Sequence, residues 1–288
     1  MTYYGPRIER IKNLLACPNC RGSLVFDLKG AECKKCIKDY PINNDKIYFI
    51  SPPVNIEDNL DSIKYRLKEV LGKYYYLIGV DIIAPTYPFN YGSEICKRID
   101  PCQKIVIDIG SGARRINPYI ICMDLFDYEN IDIICDVTAI PFRDGTVDAF
   151  VSRSMLEHVP EPQQVVSEIK RCTIIGGYSM HLIPFLMPFH ASPYDFQRYT
   201  HKGALQLFKG WECIIQFAPF GPITLLMQSS IECVSSIFSF GSGRIKTFLY
   251  LGLCLLLFPI KFLDAPFVRR VRLLGIAPSI FTIIRKRE

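Results

Sequence analysis

Four short apolar runs, separated by turns, constrain the fold more than any other feature of this chain. They are "KIVIDI" (104–109), "YIICMD" (119–124), "DIIC" (132–135) and "VDAFVS" (147–152). Runs of this length, rich in β-branched residues, are typical of strands buried on both faces of a sheet. A helix predicted over 161–173 precedes a further strand at 179–183, and two late strands are predicted at 211–219 and 278–287. Strands that alternate with connectors predict a parallel, doubly wound α/β sheet.

Acidic residues and glycines stand where such a sheet binds nucleotides, at the carboxyl ends of its strands. Asp108 ends the first run, and Gly110 and Gly112 follow in a turn where the absent Cβ lets a ligand approach the backbone. Asp124 ends the second run, where a carboxylate can accept hydrogen bonds from ribose hydroxyls. Asp136 ends the third, placed to receive an adenine amine. The alternative is that Asp124 and Asp136 only cap their connectors.

The order of these motifs resembles the S-adenosylmethionine-dependent methyltransferases of the seven-stranded Rossmann-like class. The resemblance is carried by "VIDIGSG", "CMDLF", "CDVTAIPFRDGTVDAFVSRSMLEHVPEP" and the glycines at 176–177. It spans about 104–218 and resumes at 278–287. It implies a seven-stranded sheet that ends in an antiparallel hairpin. It also implies cofactor contacts from Asp108, Gly110, Ser111 and Gly112 (methionine part), Asp124 and Leu125 (ribose), Asp136 and Val137 (adenine), and from the backbone around Ser152.

The connection after the glycines departs from the dinucleotide pattern. Fifteen residues separate Asp108 from Asp124, Pro118 lies among them, and an arginine occupies the third glycine position. A full first helix does not fit in this length. NAD and FAD sites need a helix N-terminus for the pyrophosphate. S-adenosylmethionine has no phosphate, so the short connection favours this cofactor over a dinucleotide.

Two Cys-x-x-Cys pairs near the N-terminus predict a metal site. Cys17, Cys20, Cys33 and Cys36 supply four thiols, with twelve residues between the pairs that read as a β-hairpin. Four thiolates at this spacing suit a tetrahedral, structural Zn²⁺. The alternatives are two disulfides or four free thiols. The "LACPNC" and "CKKC" pairs with the following "YPI" resemble the short zinc-ribbon family found in the small protein partner of several methyltransferases.

Candidates for the methyl-transfer chemistry follow the fourth and fifth strands. His158 lies in "LEHVP", and His190 and Arg198 lie in the loop "PFHASPYDFQRYT" (188–200). Either histidine could act as a general base for a hydroxyl acceptor, and the arginine could hold an anionic group. The alternative is a lid ordered by an Asp195–Arg198 ion pair, with His158 capping its helix.

The segment 219–277 is an apolar helical insert before the last strand. Fourteen uncharged residues lie between Lys246 and Lys261, fewer than the roughly twenty that span a bilayer. Basic residues flank this run. Three alternatives remain open: a lid packed on the domain, a helix pair at a membrane interface, or a homodimer interface.

Composition places limits on the whole chain. The 288 residues carry a formal net charge of +6, which is compatible with an anionic membrane or a nucleic acid and specific to neither. The N-terminal sequence lacks the apolar core of a secretory signal, and eight scattered cysteines besides the cluster suggest a reducing compartment. We therefore expect a cytoplasmic protein, peripheral at a membrane if the insert binds one. The predicted division is a zinc ribbon (1–52), a helical linker (53–103) and a methyltransferase domain (104–288).

These observations predict an S-adenosylmethionine-dependent methyltransferase that acts on a sugar hydroxyl or on a lipid-linked or glycolipid acceptor. RNA is the second candidate acceptor, because zinc ribbons accompany nucleic-acid methyltransferases; a basic stripe with interleaved aromatic residues is lacking. A non-catalytic methyltransferase-like binding module is the third alternative.

Overall fold

The computed structural model describes residues 5–27, 29–52, 70, 74, 78–79, 82–189 and 194–287. The first part of the predicted helical linker (53–103) lies almost entirely outside these residues. The strands are β1 Leu24–Phe26, β2 Gly30–Cys33, β3 Asp39–Asn43, β4 Lys46–Tyr48, β5 Val106–Ile109, β6 Ile121–Asp124, β7 Ile133–Ile134, β8 Val147–Arg153, β9 Thr173–Pro184, β10 Glu212–Phe217 and β11 Ser279–Arg285. The α-helices are α1 Pro6–Ile11, α2 Tyr91–Cys96, α3 Pro162–Cys172, α4 His201–Leu207, α5 Pro222–Ile237 and α6 Gly243–Leu257, and 3-10 turns lie at Lys12–Leu14, Val137–Ala139, Leu156–His158, Phe258–Asp264 and Val271–Ile276.

All of these strands form one mixed sheet in the order β1-β2-β3-β4-β7-β6-β5-β8-β9-β11-β10. The part from β7 to β10 contains the seven strands that the sequence predicts. Strands β5 to β9 pair in parallel, and β11 is antiparallel to both β9 and β10. Successive side chains of β5 and β8 point to opposite faces and nearly all of them are buried, which is why both faces need a cover.

The sheet is wider than the predicted seven strands. Strand β4 pairs in parallel with β7, through Ile47 opposite Ile133, and brings β1, β2 and β3 into the same sheet. Ile8, Leu15, Cys17 and Ile47 are all fully buried in the same hydrophobic cluster as the central strands. The N-terminal segment therefore shares the core of the sheet, whereas the sequence had suggested a separate small unit.

Two hydrophobic clusters cover the two faces of the central strands. On one face, Ile107 and Phe150 pack with Val165 and Ile169 of α3. On the other, Val106 and Val151 pack with Tyr91 of α2 and with residues of β11. This double cover buries the central strands completely and leaves their carboxyl ends as the edge where polar groups converge.

The connection from β5 to β6 contains no helix, as the sequence predicts. Parallel strands are usually joined through a helix, whereas residues 110–120 run as turns and bends. The guanidinium of Arg115 fixes this connection: it donates to both carboxylate oxygens of Asp132, at 2.8 and 3.0 Å, and to the carbonyl oxygen of Ile120 at 2.7 Å. Asp132 is 2% exposed and also accepts from Arg7 and from the backbone N–H of Cys122.

The apolar insert is helical, as the sequence predicts, and lies between β10 and β11. Helices α5 and α6 form a hairpin, and the turns at Phe258–Asp264 and Val271–Ile276 return the chain to the last strand. The stretch Gly243–Asp264 is long and apolar enough to cross a membrane by length and composition, with a mean hydropathy of 1.7 and 17% of the stretch buried.

The Arg115–Asp132 pair gives the first testable prediction. Replacement of Asp132 by alanine leaves the half-buried guanidinium of Arg115 without its carboxylate partner. It also removes the acceptor for the backbone N–H of Cys122 and for Arg7. We expect the free energy of unfolding to fall by about 3 kcal/mol, because loss of one partner leaves a buried charge uncompensated. Urea denaturation measures this loss. The matched control is Asp144→Ala, because Asp144 pairs with Arg171 but its side chain is 77% exposed; a loss as large in the control would contradict the assignment.

Candidate functional site

The turn after β5 contains two glycines, and each is needed for a different reason. Gly110 has a φ of +63°, and a Cβ at this position would lie 2.2 Å from Cγ of Met155. Gly112 has a φ of +60° and faces open space, with nothing within 4 Å of such a Cβ. The turn is anchored on β6, because the N–H of Gly110 donates to the carbonyl oxygen of Met123 at 2.8 Å. Gly110 is thus required by packing, and Gly112 leaves room for a ligand.

Asp108 is a buried carboxylate without a hydrogen-bond partner among the described residues. Its side chain is fully buried, and both of its oxygens lack a donor. Burial raises its pKa to about 7; Arg153 opposes the rise and Asp124 adds to it. A fully buried polar group without a partner is costly, so such groups are uncommon away from functional sites. This geometry is that of a carboxylate held ready for a donor or cation that is not part of the chain.

The other two acids at the strand ends accept hydrogen bonds from local backbone groups. Asp124 is 7% exposed; its oxygens accept from the N–H groups of Gly112 (2.9 Å) and Phe126 (3.0 Å), and burial raises its pKa. Asp136 is exposed and caps the 3-10 turn through the N–H of Thr138 at 2.8 Å. Both acids therefore cap connectors, as the alternative interpretation predicts, and each carboxylate oxygen keeps further lone pairs. Leu125 beside Asp124 is 36% exposed, and Val137 beside Asp136 is partly buried.

The side chain of Ser152, near the end of β8, points into the protein interior. Its Oγ lies 2.8 Å from Nδ1 of His181, whose ring is fully buried and stacks on Phe208. Burial lowers the pKa of His181 to about 3, so the ring is neutral. The carbonyl oxygen of Ser152 accepts from the hydroxyl of Tyr91 at 2.7 Å. Ser111 is also buried, at 6% exposure. Only the backbone following Ser152 is left to face a ligand.

Tyr91 and Arg153 are site residues that the sequence reasoning missed. The Tyr91 hydroxyl bridges β8 and β9, because it also donates to the carbonyl oxygen of Met180 at 2.9 Å. The Arg153 guanidinium lies 5.8 Å from the centre of the Tyr91 ring. The only signal for Tyr91 was its position in an aromatic-rich stretch, "YPFNY" (87–91), before the strand predicted at 104–109. For Arg153 it was its position directly after Ser152, at the end of a predicted strand.

A cavity of about 520 Å³ opens beside the glycine turn. Its walls come from the segment 86–92 and the turn residues 114–116, together with Arg153, Leu182 and Phe220. Tyr87, Pro88, Phe89 and Tyr91 make one side apolar and aromatic. Arg114 and Arg153 contribute positive charge at the other side. The cavity can therefore take a molecule with a flat or apolar face and an electron-rich group.

The three predicted catalytic residues are placed differently. His158 ends a 3-10 turn; its Nδ1 lies against the carbonyl oxygen of Tyr194, and its Nε2 is 3.6 Å from the buried carboxylate of Glu157. Arg198 is paired with Asp195, the ion pair that the lid alternative includes, and donates to the carbonyl oxygen of Pro188. His190 lies outside the described residues. Roles for these three residues remain predictions.

The four cysteines of the N-terminal segment converge. All four sulfur atoms lie within 4.8 Å of one another. The Cys17–Cys36 and Cys20–Cys33 sulfur atoms are 3.5 and 3.4 Å apart, so they are free thiols and not disulfides. Zn–S bonds of about 2.3 Å in a tetrahedron bring sulfur atoms to about 3.8 Å, so the cluster is compatible with zinc.

Groups around the cysteines favour ionisation of Cys33, whereas at Cys20 a backbone hydrogen bond is outweighed by burial and by the neighbouring thiols, which raise the pKa to about 12. Burial opposes ionisation of Cys33, but backbone groups of Cys36 and Lys35 outweigh it and lower its pKa to about 6. The Tyr40 hydroxyl lies 3.0 Å from the sulfur of Cys17 and is positioned to donate to it. Hydrogen bonds of this kind orient metal ligands. The cysteine cluster therefore has both its ligands and an outer partner.

Hydrogen bonds join the segment that carries the four cysteines to the loop between β7 and β8. Arg21 donates to the buried Glu168 at 2.8 Å and to the carbonyl oxygen of Ile140 at 3.0 Å. The N–H of Ala16 donates to the carbonyl oxygen of Pro141, and that of Arg143 to Leu14. These bonds hold "IPFR" (140–143), part of the motif that carries the family resemblance, against the cysteine pairs.

The residues at the glycine turn fit S-adenosylmethionine. Asp108 offers an unpartnered carboxylate to a cationic ligand, and Gly112 leaves the space that a Cβ would fill. Asp124 stands beside them with spare lone pairs. The short connection provides no helix N-terminus for a pyrophosphate, which a sulfonium cofactor does not need.

Comparison with known proteins points to the same part of the sheet. Residues 107–180 match the methyltransferase domain family. This match supports a methyltransferase, and the fold is consistent with dependence on S-adenosylmethionine. The segment runs from within β5 to within β9 and includes Asp108, both glycines, Asp124, Asp136 and Ser152.

Individual relatives cover only part of the chain. Proteins described as uncharacterized methyltransferases from Mycobacterium sp. strains KMS, JLS and MCS are 42% identical over 53 residues, which is 17% of this chain and 21% of theirs. The matched stretch thus spans about a fifth of the length of these relatives. Among solved structures, the Haemonchus contortus phosphoethanolamine N-methyltransferase 2 complex with S-adenosyl-L-methionine has a TM-score of 0.46 at 14% identity, covering 81% of this chain and 61% of that one.

Asp108 predicts an unusual dependence of stability on pH. With a folded-state pKa of about 7 and an ordinary unfolded value near 4, the folded state binds one more proton than the unfolded state between these values. The free energy of unfolding contributed by this group therefore falls as pH rises through that window. We expect Asp108→Asn to remove this slope and to be more stable than wild type at pH 8 by about 2–4 kcal/mol.

Urea denaturation at pH 5 and pH 8 measures this effect. Asp144→Asn is the control, because its side chain is 77% exposed. Parallel pH profiles for wild type and Asp108→Asn would show that the buried carboxylate does not titrate as inferred.

The cysteine cluster predicts a structural metal. We expect the purified protein to hold one zinc ion per chain and Cys33→Ser to lose it. Because Cys17, Cys33 and Tyr40 lie in the core that includes the central strands, the free energy of unfolding should drop by about 3 kcal/mol or more. Elemental analysis and chemical denaturation measure these two effects. Cys213→Ser, at an exposed cysteine, should change neither; a Cys33→Ser protein that keeps its zinc would contradict the assignment.

Proposed function

We propose that this protein is an S-adenosylmethionine-dependent methyltransferase. The observation that carries the proposal is the fully buried, unpartnered carboxylate of Asp108 beside the open face of Gly112. The match of residues 107–180 to the methyltransferase domain family supports it. S-adenosylmethionine supplies an electrophilic methyl group on a positively charged sulfur, and methyl transfer passes this group to an acceptor nucleophile in line with the leaving sulfur.

The chain would bind the cofactor through charge and hydrogen bonds at the strand ends. Asp108 would hold the positive charge of the methionine part of the cofactor. Arg153, which acts electrostatically on Asp108, would face the carboxylate of that methionine part. Asp124 would accept from the ribose hydroxyls while it holds the turn through Gly112, with Leu125 beside it. Asp136 and Val137 would bound the adenine.

The protonation of Asp108 couples to cofactor binding in this proposal. A pKa of about 7 means that about half of the carboxyl groups are neutral at neutral pH. A cation bound nearby favours the ionised carboxylate and lowers this pKa. Binding should therefore release a proton below pH 7, which distinguishes recognition of a cation at Asp108 from simple filling of the turn.

The acceptor would enter the cavity beside the turn. Its aromatic wall suits the apolar face of a sugar ring or an apolar chain, and Arg114, Asn90 and Thr86 add polar groups. These features support a sugar hydroxyl or a lipid-linked or glycolipid acceptor. A hydroxyl acceptor must lose a proton during transfer, and His158 and His190 stay the candidates for this step. Arg198 stays the candidate for holding an anionic group of the acceptor.

Calorimetry tests the cofactor. We expect S-adenosylmethionine to bind with a micromolar Kd and to release a proton at pH 6, detected by titration in buffers of different ionisation enthalpy. Asp124→Ala should weaken binding by about tenfold or more, because ribose and turn contacts are lost together. Asp144→Ala should bind like wild type. Absence of binding by a correctly folded protein would favour the non-catalytic module.

Transfer from methyl-labelled S-adenosylmethionine tests the acceptor. Label added to a whole-cell extract with the protein should appear in the fraction soluble in organic solvent, and Asp124→Ala should reduce it. Label in the RNA fraction instead would favour the second acceptor class.

A further inference from the structure

The hairpin of α5 and α6 exposes an apolar face on α6 and the turn that follows it. The exposed fractions are Ile245 45%, Phe248 78%, Leu251 43%, Leu255 59%, Leu256 73%, Phe262 49% and Leu263 62%. These positions recur at helical spacing, so they form one stripe. On a helix at the surface of a water-soluble domain the corresponding stripe is polar. An apolar stripe of this length marks a surface that binds something.

Two charged groups of the same stretch, Lys261 and Asp264, point the other way. Lys261 is fully buried and donates to the carbonyl oxygens of Ile82 and Ala84. Asp264 is fully buried and accepts from the N–H groups at the start of α5, those of Gly221, Ile223 and Thr224, at 3.1, 2.9 and 2.8 Å. Charged side chains that face protein while apolar ones face outward are typical of segments in contact with lipid.

Two ordinary explanations for an apolar helix do not apply to this stretch. A core helix is buried, whereas only 17% of Gly243–Asp264 is. A signal sequence lies near the N-terminus, whereas this stretch follows β10. The α-helical part, Gly243–Leu257, has 15 residues, a length of about 22 Å, and it reaches the length of a bilayer span only together with the 3-10 turns that contain the buried Lys261 and Asp264. The geometry suits a helix that lies in the membrane interface.

The charge around the stripe selects the kind of surface. The segment 221–277 contains six basic and two acidic residues. Lys246 is paired with Glu232 and Arg269 with Glu94. Arg244, Arg270 and Arg272 are exposed and form no ion pair within the described part of the chain. Arg244 lies four positions before Phe248, on the same side of the helix. Basic groups at the border of an apolar stripe match an anionic lipid surface.

We propose that the α5–α6 hairpin docks this protein on an anionic membrane, with the α6 stripe in the interface and the arginines at the headgroups. A second copy of the chain fits less well, because its segment 221–277 carries the same excess of basic over acidic residues. The proposal uses only the hairpin and does not depend on methyl transfer.

The hairpin is also bonded to a wall of the cavity. The N–H of Tyr87, which lines the cavity, donates to Oγ1 of Thr224 in α5 at 3.1 Å. Phe220, at the start of the hairpin, lines the same cavity. A docked hairpin would therefore hold the cavity close to the lipid surface, within reach of an amphiphilic molecule.

Vesicle flotation with the full chain tests the docking. We expect wild type to float with vesicles of phosphatidylcholine and phosphatidylglycerol, and to float less with phosphatidylcholine alone or at high salt. The double variant Phe248→Asp, Leu256→Asp should lose binding by about tenfold or more, since two anchoring side chains become charged. The double variant Arg244→Glu, Arg272→Glu should lose the preference for phosphatidylglycerol. The control Ile175→Asp, at an apolar residue that is 72% exposed in β9, should float like wild type.

Other results would overturn the proposal. Wild type that stays with the lipid-free fraction, or a Phe248→Asp, Leu256→Asp protein that floats normally, would exclude docking through this stripe. Light scattering after size exclusion tests whether a second copy of the chain binds the stripe instead. A wild-type dimer that becomes monomeric in the Phe248→Asp, Leu256→Asp variant, with no vesicle binding by either protein, would show an interface between copies. Circular dichroism confirms that each variant keeps the wild-type fold, and cofactor calorimetry is run separately, so failure of docking and failure of cofactor binding are distinguishable.

Discussion

The fold of the central sheet depends on how β5 is joined to β6. Eleven residues, 110–120, make a parallel connection that usually takes a helix. The Arg115–Asp132 pair takes the place of the contacts that a connecting helix would make. The guanidinium donates to the Asp132 carboxylate and to the carbonyl oxygen of Ile120. Asp132 in turn holds Cys122 of β6 and Arg7 of the N-terminal segment. One buried carboxylate thus holds the β5–β6 connection, β6 and α1 together.

The absence of a helix after the glycine turn has a consequence for the site. Residues 114–116 line the cavity directly, so the positive charge of Arg114 faces space that a regular first helix would occupy. Asp108 is fully buried and has no hydrogen-bond partner among the described residues. The shortened connection offers no helix N-terminus to a pyrophosphate, whereas an unpartnered carboxylate suits a cation.

The two additions to the sheet are joined to it by polar contacts that lie far apart in sequence. At one edge, Arg21 and Glu168 tie the cysteine cluster to α3. At the other, Lys261 and Asp264 tie the apolar hairpin to the segment before α2 and to the start of α5. Both sets satisfy buried charges, which would otherwise be strongly destabilising. The cysteine segment and the hairpin are therefore integral to the domain, and the cavity wall at 86–92 lies between the sheet and the hairpin.

The sequence by itself determined the features that are local. Strand positions, the glycine turn, the acids at strand ends, the cysteine pairs and the helical insert all follow from short-range spacing, and the seven central strands occur as predicted. It did not show that the N-terminal strands extend the same sheet, because pairing of β4 with β7 is a contact across more than eighty residues. Nor did it show that Tyr91 bridges β8 and β9, that the Ser152 hydroxyl is hydrogen-bonded to His181, or that Lys261 and Asp264 point inward. Those facts depend on which side chains share a buried space, and only the tertiary structure decides which polar groups must find each other to avoid the cost of burial.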